Sequence, residues 1–285
     1  MQRAFPLRAD VVVIGGGVVG VSTAYHLAAL GHADVVVVER EEALGMGSTG
    51  RSAGGVRIQF STEVNVRLSA WSIEMLRRFG ELTGESAGLR QHGYLIVTGD
   101  VAEMSRFEQN VALQRSLGFD VKLLDPRRAQ ALVPQLRVDD LPDLPMVIDF
   151  DSGFYVRREG ERLLFGMANP EEGPGFRTDV DGAFLPRVLE AGVHRLPALA
   201  EARVRRGWAG LYEVSPDHNA IIGEAPEVQG FYLANGFSGH GFQQAPAVGR
   251  VLAEMILGLP LSVDVSPLDI RRFSTGGRLV ESQVV

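Results

Sequence analysis

The feature that most constrains the fold is a glycine pattern placed between an apolar strand and a helix. Four apolar residues, Val11 to Ile14, end directly at Gly15-x-Gly17-x-x-Gly20, and apolar residues at helical spacing follow from Val21 to Leu30. The apolar run predicts a parallel strand buried on both faces. The whole pattern is typical of a βαβ unit that binds a dinucleotide, although a glycine-rich turn without a ligand is the alternative.

The next strand supplies an acidic residue at the expected place. Val35 to Val38 is again apolar and ends at Glu39, 19 residues after Gly20. A carboxylate there can accept two hydroxyl hydrogen bonds from an adenosine ribose. Gly15 permits the tight turn, Gly17 lets the backbone approach a pyrophosphate, and Gly20 lets helix and strand pack closely. The helix N-terminus offers free N–H groups and partial positive charge to the phosphates.

A second glycine-rich stretch, residues 45–55, favours FAD over NAD. Ser48, Thr49 and Arg51 are suited to further phosphate contacts that an extended FAD would use, and Arg40 beside Glu39 joins the predicted cofactor-binding residues. The alternative is a plain surface loop. An NAD-binding protein that uses only the first glycine pattern is also an open hypothesis.

Three segments resemble one known family. Residues 47–60, which end in Arg57-Ile58-Gln59-Phe60, resemble the FAD-dependent amino-acid oxidoreductases, as do residues 207–217 and 230–242. That superfamily includes D-amino-acid oxidase, glycine oxidase, sarcosine oxidase and the flavin subunits of proline and dimethylglycine dehydrogenases.

The resemblance implies an α/β fold with two domains. A Rossmann-like FAD-binding domain would comprise residues 1–82 and 206–285, with an inserted α+β substrate domain, residues 83–205, built on an antiparallel sheet. Family members are longer, and the chain is shortened near 140–145, which would leave the flavin site incomplete on one side. Within the substrate domain we expect a hairpin of strands 146–158 and 162–167, and a short helix that ends at Gly192.

The far end of the chain predicts the flavin-ring contacts. A strand near residues 231–234 leads into a glycine turn and a helix over 242–257. A bare turn at a helix N-terminus lets the backbone approach a flat ring, and the helix dipole would stabilise negative charge on reduced flavin. His240 could equally be structural. The predicted cofactor-binding residues here are Gly210, Gly236, Gly239, His240, Gly241, Phe242 and Gln243.

The implied reaction is oxidation of a C–N bond by hydride transfer to flavin N5, followed by hydrolysis of the imine. The candidate catalytic residues are Arg57, Tyr155 and His240. Where D-amino-acid and glycine oxidases carry a substrate-binding arginine, this chain has Tyr212, which favours the branch that handles secondary or tertiary amines. The substrate class is then sarcosine, dimethylglycine, proline or glycine. Arg57 could instead be a surface or phosphate-binding arginine, and Tyr155 one more aromatic residue on a strand.

The residue composition narrows the cofactor and the electron acceptor. The chain has no cysteine, which excludes a cysteinyl flavin link, and we expect FAD to be bound non-covalently. In the monomeric sarcosine oxidases that the chain resembles, a lysine near flavin N5 helps oxygen to react. The one lysine here, Lys122, is far from the motifs, so the resemblance implies a dehydrogenase with a separate electron acceptor or partner subunit rather than an oxidase. A non-catalytic, deleted family member that serves as an interaction or assembly module is the alternative function.

Charge and hydropathy exclude several other classes. A formal charge of −7 over 285 residues argues against nucleic-acid binding, and the six histidines are scattered without metal-ligand spacing. No apolar run approaches the ~20 residues of a membrane span. We therefore expect no metal, no nucleic acid, no membrane span and a cytoplasmic location.

Overall fold

The computed structural model describes residues 6–133, 145–277 and 279–283. They cluster into two compact units: the first draws on residues 6–58, 62–87, 212–277 and 279–283, and the second on 59–61, 88–133 and 145–211. The shortening expected near 140–145 falls almost wholly outside the described residues.

The strands are short and the longest helices have about four turns. The strands are β1 (Val11–Ile14), β2 (Val35–Val38), β3 (Tyr94–Val97), β4 (Met146–Asp149), β5 (Phe154–Glu159), β6 (Arg162–Gly166), β7 (Ile221–Glu224) and β8 (Tyr232–Asn235). The helices are α1 (Val18–Ala29), α2 (Ser48–Arg51), α3 (Glu63–Arg77), α4 (Phe79–Thr83), α5 (Val101–Ser116), α6 (Pro126–Leu132), α7 (Leu185–Arg195), α8 (Gly241–Ile256) and α9 (Arg272–Thr275). Pro197–Glu201 and Ser266–Leu268 form 3₁₀ turns.

The first unit contains the predicted βαβ motif. β1 pairs with β2 in parallel, with Val11 opposite Val35, and α1 makes the crossover. α8 packs against both α1 and α3. A Cβ on Gly249 of α8 would lie 2.5 Å from the carbonyl carbon of Ser22, so glycine lets these two helices approach closely.

The prediction that β1 and β2 are buried on both faces is wrong. α1 covers one face, but the alternate residues Val12, Ile14 and Val38 on the other face are 55%, 80% and 46% exposed. A valine run shows only that both faces are apolar. Whether a second layer covers them depends on elements elsewhere in the chain.

The core of the first unit lies between α3, α8 and the antiparallel pair β7–β8. The fully buried side chains include Leu68, Ile222, Val248, Val251 and Leu268. Neither α3 nor β7 was expected from the sequence.

The second unit is built on a four-stranded sheet of order β3-β4-β5-β6. The sheet is mixed rather than antiparallel, because β3 pairs in parallel with β4. The first strand of the expected hairpin is broken by a turn over residues 150–153, which separates β4 from β5. α7 continues past Gly192, whose missing Cβ would lie 3.0 Å from the Phe154 ring, so this glycine permits packing rather than ending the helix.

Within the described part of the chain, no helix is long and apolar enough to cross a membrane. Among the same residues, no group of three or more histidine or acidic side chains is placed to hold a metal ion.

His26 predicts a loss of stability in mild acid. Its ring is buried in α1 with Tyr25 and Trp71 at its edges. Burial, assisted by the charge of Arg250, lowers the pKa of His26 from 6.5 to about 4. The folded state therefore binds fewer protons than the unfolded state between pH 6.5 and 4. Stability is full above pH 6.5 and falls by about 3 kcal/mol from this residue as the pH drops to 4.

Urea unfolding at several pH values measures this effect. We expect His26→Leu to flatten the slope of the unfolding free energy between pH 6.5 and 4, while the exposed His194→Gln leaves the slope unchanged. An identical slope in His26→Leu and the native chain would contradict this assignment.

Candidate functional site

The first glycine turn lies between β1 and α1 and has no room for side chains at its tightest point. Gly15 has φ +104° and donates its N–H to the Val38 carbonyl over 2.8 Å. A Cβ on Gly20 would lie 2.1 Å from the Gly15 carbonyl oxygen and 3.1 Å from a Val13 methyl group. Glycine is therefore required at both positions, one for its conformation and one for the close contact.

The N–H groups at the start of α1 point toward oxygen acceptors. Gly16 donates to Oε2 of Glu39 over 2.7 Å, and Val18 donates to Oγ1 of Thr49 over 3.0 Å. Both acceptors come from residues that the sequence assigns to the cofactor. The helix N-terminus thus already attracts a carboxylate and a hydroxyl, the groups that phosphate oxygens would replace.

Glu39 ends β2 directly beside the glycine turn. Its other oxygen, Oε1, accepts from the Glu41 N–H over 2.9 Å. Hydrogen bonds from the backbone N–H groups of Glu41 and Gly16 lower the pKa of Glu39, so the carboxylate is ionised at neutral pH. Arg40 points outward and pairs with Glu41 at 3.1 Å.

The second glycine-rich stretch is tied to the first turn. Gly45 donates to the Gly16 carbonyl over 2.9 Å, and Gly50 donates to the Gly45 carbonyl over 2.8 Å. The stretch forms the one-turn helix α2, which places Ser48 and Arg51 at the surface. The chain therefore brings Thr49 to the N-terminus of α1, as a shared phosphate-binding role requires.

The turn before α8 is shaped by glycines and one tyrosine. Gly236 and Gly239 have φ +69° and +93°, and a Cβ on Gly239 would lie 3.2 Å from the Tyr212 ring. A Cβ on Gly241 would lie 2.9 Å from Phe237. The Cβ positions of Gly239 and Gly241 therefore face Tyr212 and Phe237, so these glycines let aromatic side chains of the first unit pack against the turn.

His240 occupies the N-cap position of α8 and is only 3% exposed. Burial lowers the pKa of His240 to about 4, against the negative charge of Glu281, which raises it. The positive charge of Arg57 lowers it further. His240 is therefore neutral at pH 7, and the positive charge near this turn comes from Arg57 and the helix dipole.

Arg57 is buried and lies with His240 rather than at the surface. Its backbone N–H donates to Oε1 of Gln243 over 2.8 Å, and its Nη2 donates to the Gln283 carbonyl over 2.5 Å. Gln243, predicted as a cofactor contact, thus holds the Arg57 backbone. The sequence left a surface arginine open, and the structure excludes that alternative.

A buried polar network next to Arg57 was not foreseen. Asn65 on α3 donates to Glu281 over 2.9 Å and to Asn219 over 2.7 Å, and it accepts from Gln244 over 3.1 Å. Thr62 also donates to Glu281. No local sequence pattern indicates that these polar residues are buried, because their partners lie more than 150 residues away in the chain.

The remaining predicted residues divide between the units. Phe242, the second residue of α8, is partly buried in the first unit. Gly210 and Tyr155 belong to the second unit. Tyr155 lies on β5 opposite Gly166 of β6. A Cβ on Gly166 would lie 2.5 Å from the phenol oxygen of Tyr155. The adjacent Phe154 points the other way, into the core of its unit.

The residues of the first unit suit FAD. The cradle at Gly15 to Gly20 would be filled by any Cβ at Gly20, its N–H groups bind oxygen acceptors, and an ionised Glu39 stands where ribose hydroxyls are recognised. The turn before α8 is also rich in glycine, and Gly236 and Gly239 have positive φ there.

Comparison with known proteins identifies the family. The family model described as FAD dependent oxidoreductase matches residues 10–144 and 136–255, most of the chain. FAD-dependent oxidoreductase domain-containing protein 1 of Bos taurus is 27% identical over 425 aligned residues, which cover 97% of this chain and 87% of that protein. The alignment is much longer than the chain itself, and the two matched segments overlap at 136–144.

Other relatives and solved structures are similar. The mitochondrial sarcosine dehydrogenase of Homo sapiens is 24% identical over 95% of this chain, which spans only 42% of that protein. The crystal structure of L-proline dehydrogenase from P. horikoshii superposes with a TM-score of 0.86 and 28% identity, covering 95% of this chain and 99% of that one. Glycine oxidase from Geobacillus kaustophilus, at 19% identity, shows the same fold with a TM-score of 0.78 over 93% and 99% of the two chains.

The matched family spans the glycine turn, the second glycine-rich stretch and nearly all of α8. The chain has no cysteine, consistent with a flavin that is not attached through one. The chain belongs to the FAD-dependent oxidoreductase family and is an FAD-dependent oxidoreductase.

Proposed function

We propose that the chain oxidises the C–N bond of a small amino acid or secondary or tertiary amine of the sarcosine, dimethylglycine, proline or glycine class. The observation that carries this proposal is Arg57, a buried guanidinium beside neutral His240 at the N-terminus of α8. A buried arginine is suited to a substrate carboxylate, because its planar fork can bind both oxygens. The names of the relatives, sarcosine, dimethylglycine and L-proline dehydrogenases, support the same substrate class.

The two units are assigned different functions in this proposal. We propose that the first unit is the Rossmann-like FAD-binding domain and that the second, with its mixed sheet and Tyr155, is the inserted substrate domain. The parallel β1–α1–β2 motif in the first unit supports this assignment.

Named residues of the first unit would hold the cofactor. Gly15, Gly17, Gly20 and Thr49 would form the site that binds the pyrophosphate. Glu39 would accept hydrogen bonds from the ribose hydroxyls. Ser48, Arg51 and Arg40 are exposed and would add further phosphate contacts. Gly236, Gly239 and Gly241 would face the ring system, with His240 and Gln243 behind them and Phe242 as a further contact.

Bound FAD supplies the two-electron acceptor for the hydride that leaves the carbon next to nitrogen. The chain's own task is to orient the substrate. Arg57 would hold its carboxylate, while neutral His240 adds no second positive charge next to the amine. Water then adds to the resulting iminium, which gives a carbonyl compound and an amine and releases a proton.

Anaerobic reduction of the FAD-loaded protein tests this proposal. We expect one of sarcosine, dimethylglycine, proline or glycine to bleach the visible flavin absorbance. Arg57→Met should lower kcat/KM for that substrate about 100-fold, because a charge-assisted bidentate contact is lost. Turnover of dimethylamine, which lacks a carboxylate, should change little.

The matched control is Arg77→Met, an exposed arginine on α3 paired only at the surface. If Arg57→Met loses activity equally toward substrates with and without a carboxylate, Arg57 does not bind the carboxylate. If none of the four compounds bleaches the flavin, the proposed substrate class is wrong.

The electron acceptor and location extend the proposal. We propose a dehydrogenase that passes electrons to a separate acceptor or partner subunit, because Lys122, the one lysine, pairs with Asp120 on the surface of the second unit. The cytoplasmic location stays a prediction. The family match does not favour a non-catalytic interaction module.

A further inference from the structure

In the last described residues, 279–283, which we call the C-terminal strap, Leu279 packs against the core of the first unit, but the most deeply buried side chains are polar. Glu281 and Gln283 are 1% and 3% exposed, whereas Val280 is 62% exposed. This is the reverse of the usual hydrophobic pattern. The strap is therefore held in place by specific hydrogen bonds.

The carboxylate of Glu281 is surrounded by donors from the first unit. Oε2 accepts from the Thr62 N–H over 3.2 Å, the Thr62 hydroxyl over 2.9 Å and the Asn65 amide over 2.9 Å. Oε1 accepts from the Gln283 N–H over 2.9 Å. A buried carboxylate is tolerated only when its oxygens are satisfied in this way.

The strap backbone is anchored to the loop before β7. The Glu281 N–H donates to the Asp217 carbonyl over 3.0 Å, and the Asn219 amide donates to the Leu279 carbonyl. Asp217 is itself fixed by Arg272 of α9. The backbone at Glu281 is therefore held in place, so that its side chain can orient Gln283.

Gln283 connects this carboxylate to Arg57. The Gln283 N–H donates to Oε1 of Glu281, and the Gln283 carbonyl accepts from Nη2 of Arg57. The opposite end of the Arg57 residue, its backbone N–H, is held by Gln243 of α8. The guanidinium direction is thus set by the strap and the backbone by α8.

We propose that Glu281 is a positioning residue that, through Gln283, fixes the direction of the Arg57 guanidinium and the charge around His240. This inference rests on the proposed role of Arg57 in binding a substrate carboxylate. A buried carboxylate adds little net stability, so an apolar strap would serve a purely structural role as well. A fixed guanidinium, by contrast, is what precise carboxylate recognition needs.

The variant that tests the link is Glu281→Gln. Its amide oxygen can still accept from Thr62 and Asn65, but its NH₂ group then faces the Gln283 N–H, two donors together. We expect kcat/KM for the carboxylate-bearing substrate to fall about 10-fold, mainly through KM, with dimethylamine turnover unchanged. Combined with Arg57→Met, the substitution should have no further effect.

A second readout needs neither FAD nor turnover. In the FAD-free protein with labelled histidines, Glu281→Gln should shift the His240 ring signals at pH 7 and leave those of His26 unchanged. Val280→Ala, in the same strap but exposed, should move neither. Thr62→Val, which removes one donor to Glu281, should cause a smaller shift of the same signals and serves if Glu281→Gln fails to fold.

Unchanged His240 signals in both variants, or effects of Glu281→Gln and Arg57→Met that multiply, would overturn the positioning role. Absence of amine oxidation by the native protein would instead contradict the proposed function, and the histidine signals would still report on the strap.

Discussion

Gly20→Ala will weaken FAD binding by about 100-fold or more. The added methyl group would lie 2.1 Å from the Gly15 carbonyl oxygen, a backbone atom that cannot rotate away. α1 must then move from β1, which displaces the N–H groups of Gly16 and Val18 that we propose bind the phosphates. A loss of about 3 kcal/mol in binding free energy corresponds to this change in dissociation constant.

Fluorescence titration of the FAD-free protein with FAD measures the effect. The matched control is Gly80→Ala in α4, where the nearest atom to an added Cβ is an ordinary 3.6 Å away. Circular dichroism of both variants separates lost binding from lost folding. A folded Gly20→Ala protein with native affinity would show that this turn does not bind the cofactor.

Arg272→Met will lower the free energy of unfolding by about 3–5 kcal/mol, because it leaves a carboxylate buried without its partner. Nε and Nη2 of Arg272 donate to the two oxygens of Asp217 over 2.7 and 3.0 Å, and both side chains are almost wholly buried. Burial raises the pKa of Asp217, but the hydrogen bonds from Arg272 and Asn219 outweigh it and leave that pKa below its usual value.

Urea unfolding checks this expectation against a surface ion pair. Arg67→Met removes an exposed pair with Glu63 on α3 and should cost less than about 0.5 kcal/mol. The double variant Asp217→Asn/Arg272→Met should recover part of the stability lost in Arg272→Met. Equal costs for Arg272→Met and Arg67→Met would mean that the buried pair is not a stabilising contact.

The parts of the fold that the sequence predicts are those fixed by local patterns. Gly15 has a positive φ and Gly20 has no space for a Cβ, so a residue without a side chain suits both places, and the spacing to Glu39 follows from one crossover. The helix after Gly241 is equally local, since apolar spacing and a glycine turn define it.

The parts that the sequence did not predict depend on distant partners. Asp217, Arg272 and Glu281 are charged, and charged residues are usually exposed, so only the folded chain shows that they are buried together. The parallel pairing of β3 with β4 and the exposed face of β1–β2 are also set by neighbours in space. Gly192 resembles a helix end in sequence, but the ring of Phe154 across the unit explains it.

The absorption spectrum of the purified protein, before and after addition of FAD and desalting, tests the central claim most directly. The account predicts a flavin spectrum that survives desalting, which means that the cradle around Gly15 to Gly20 and the turn before α8 suffice despite the exposed face of β1–β2. A colourless protein that never retains FAD would contradict this account and favour a folded family member without catalytic function.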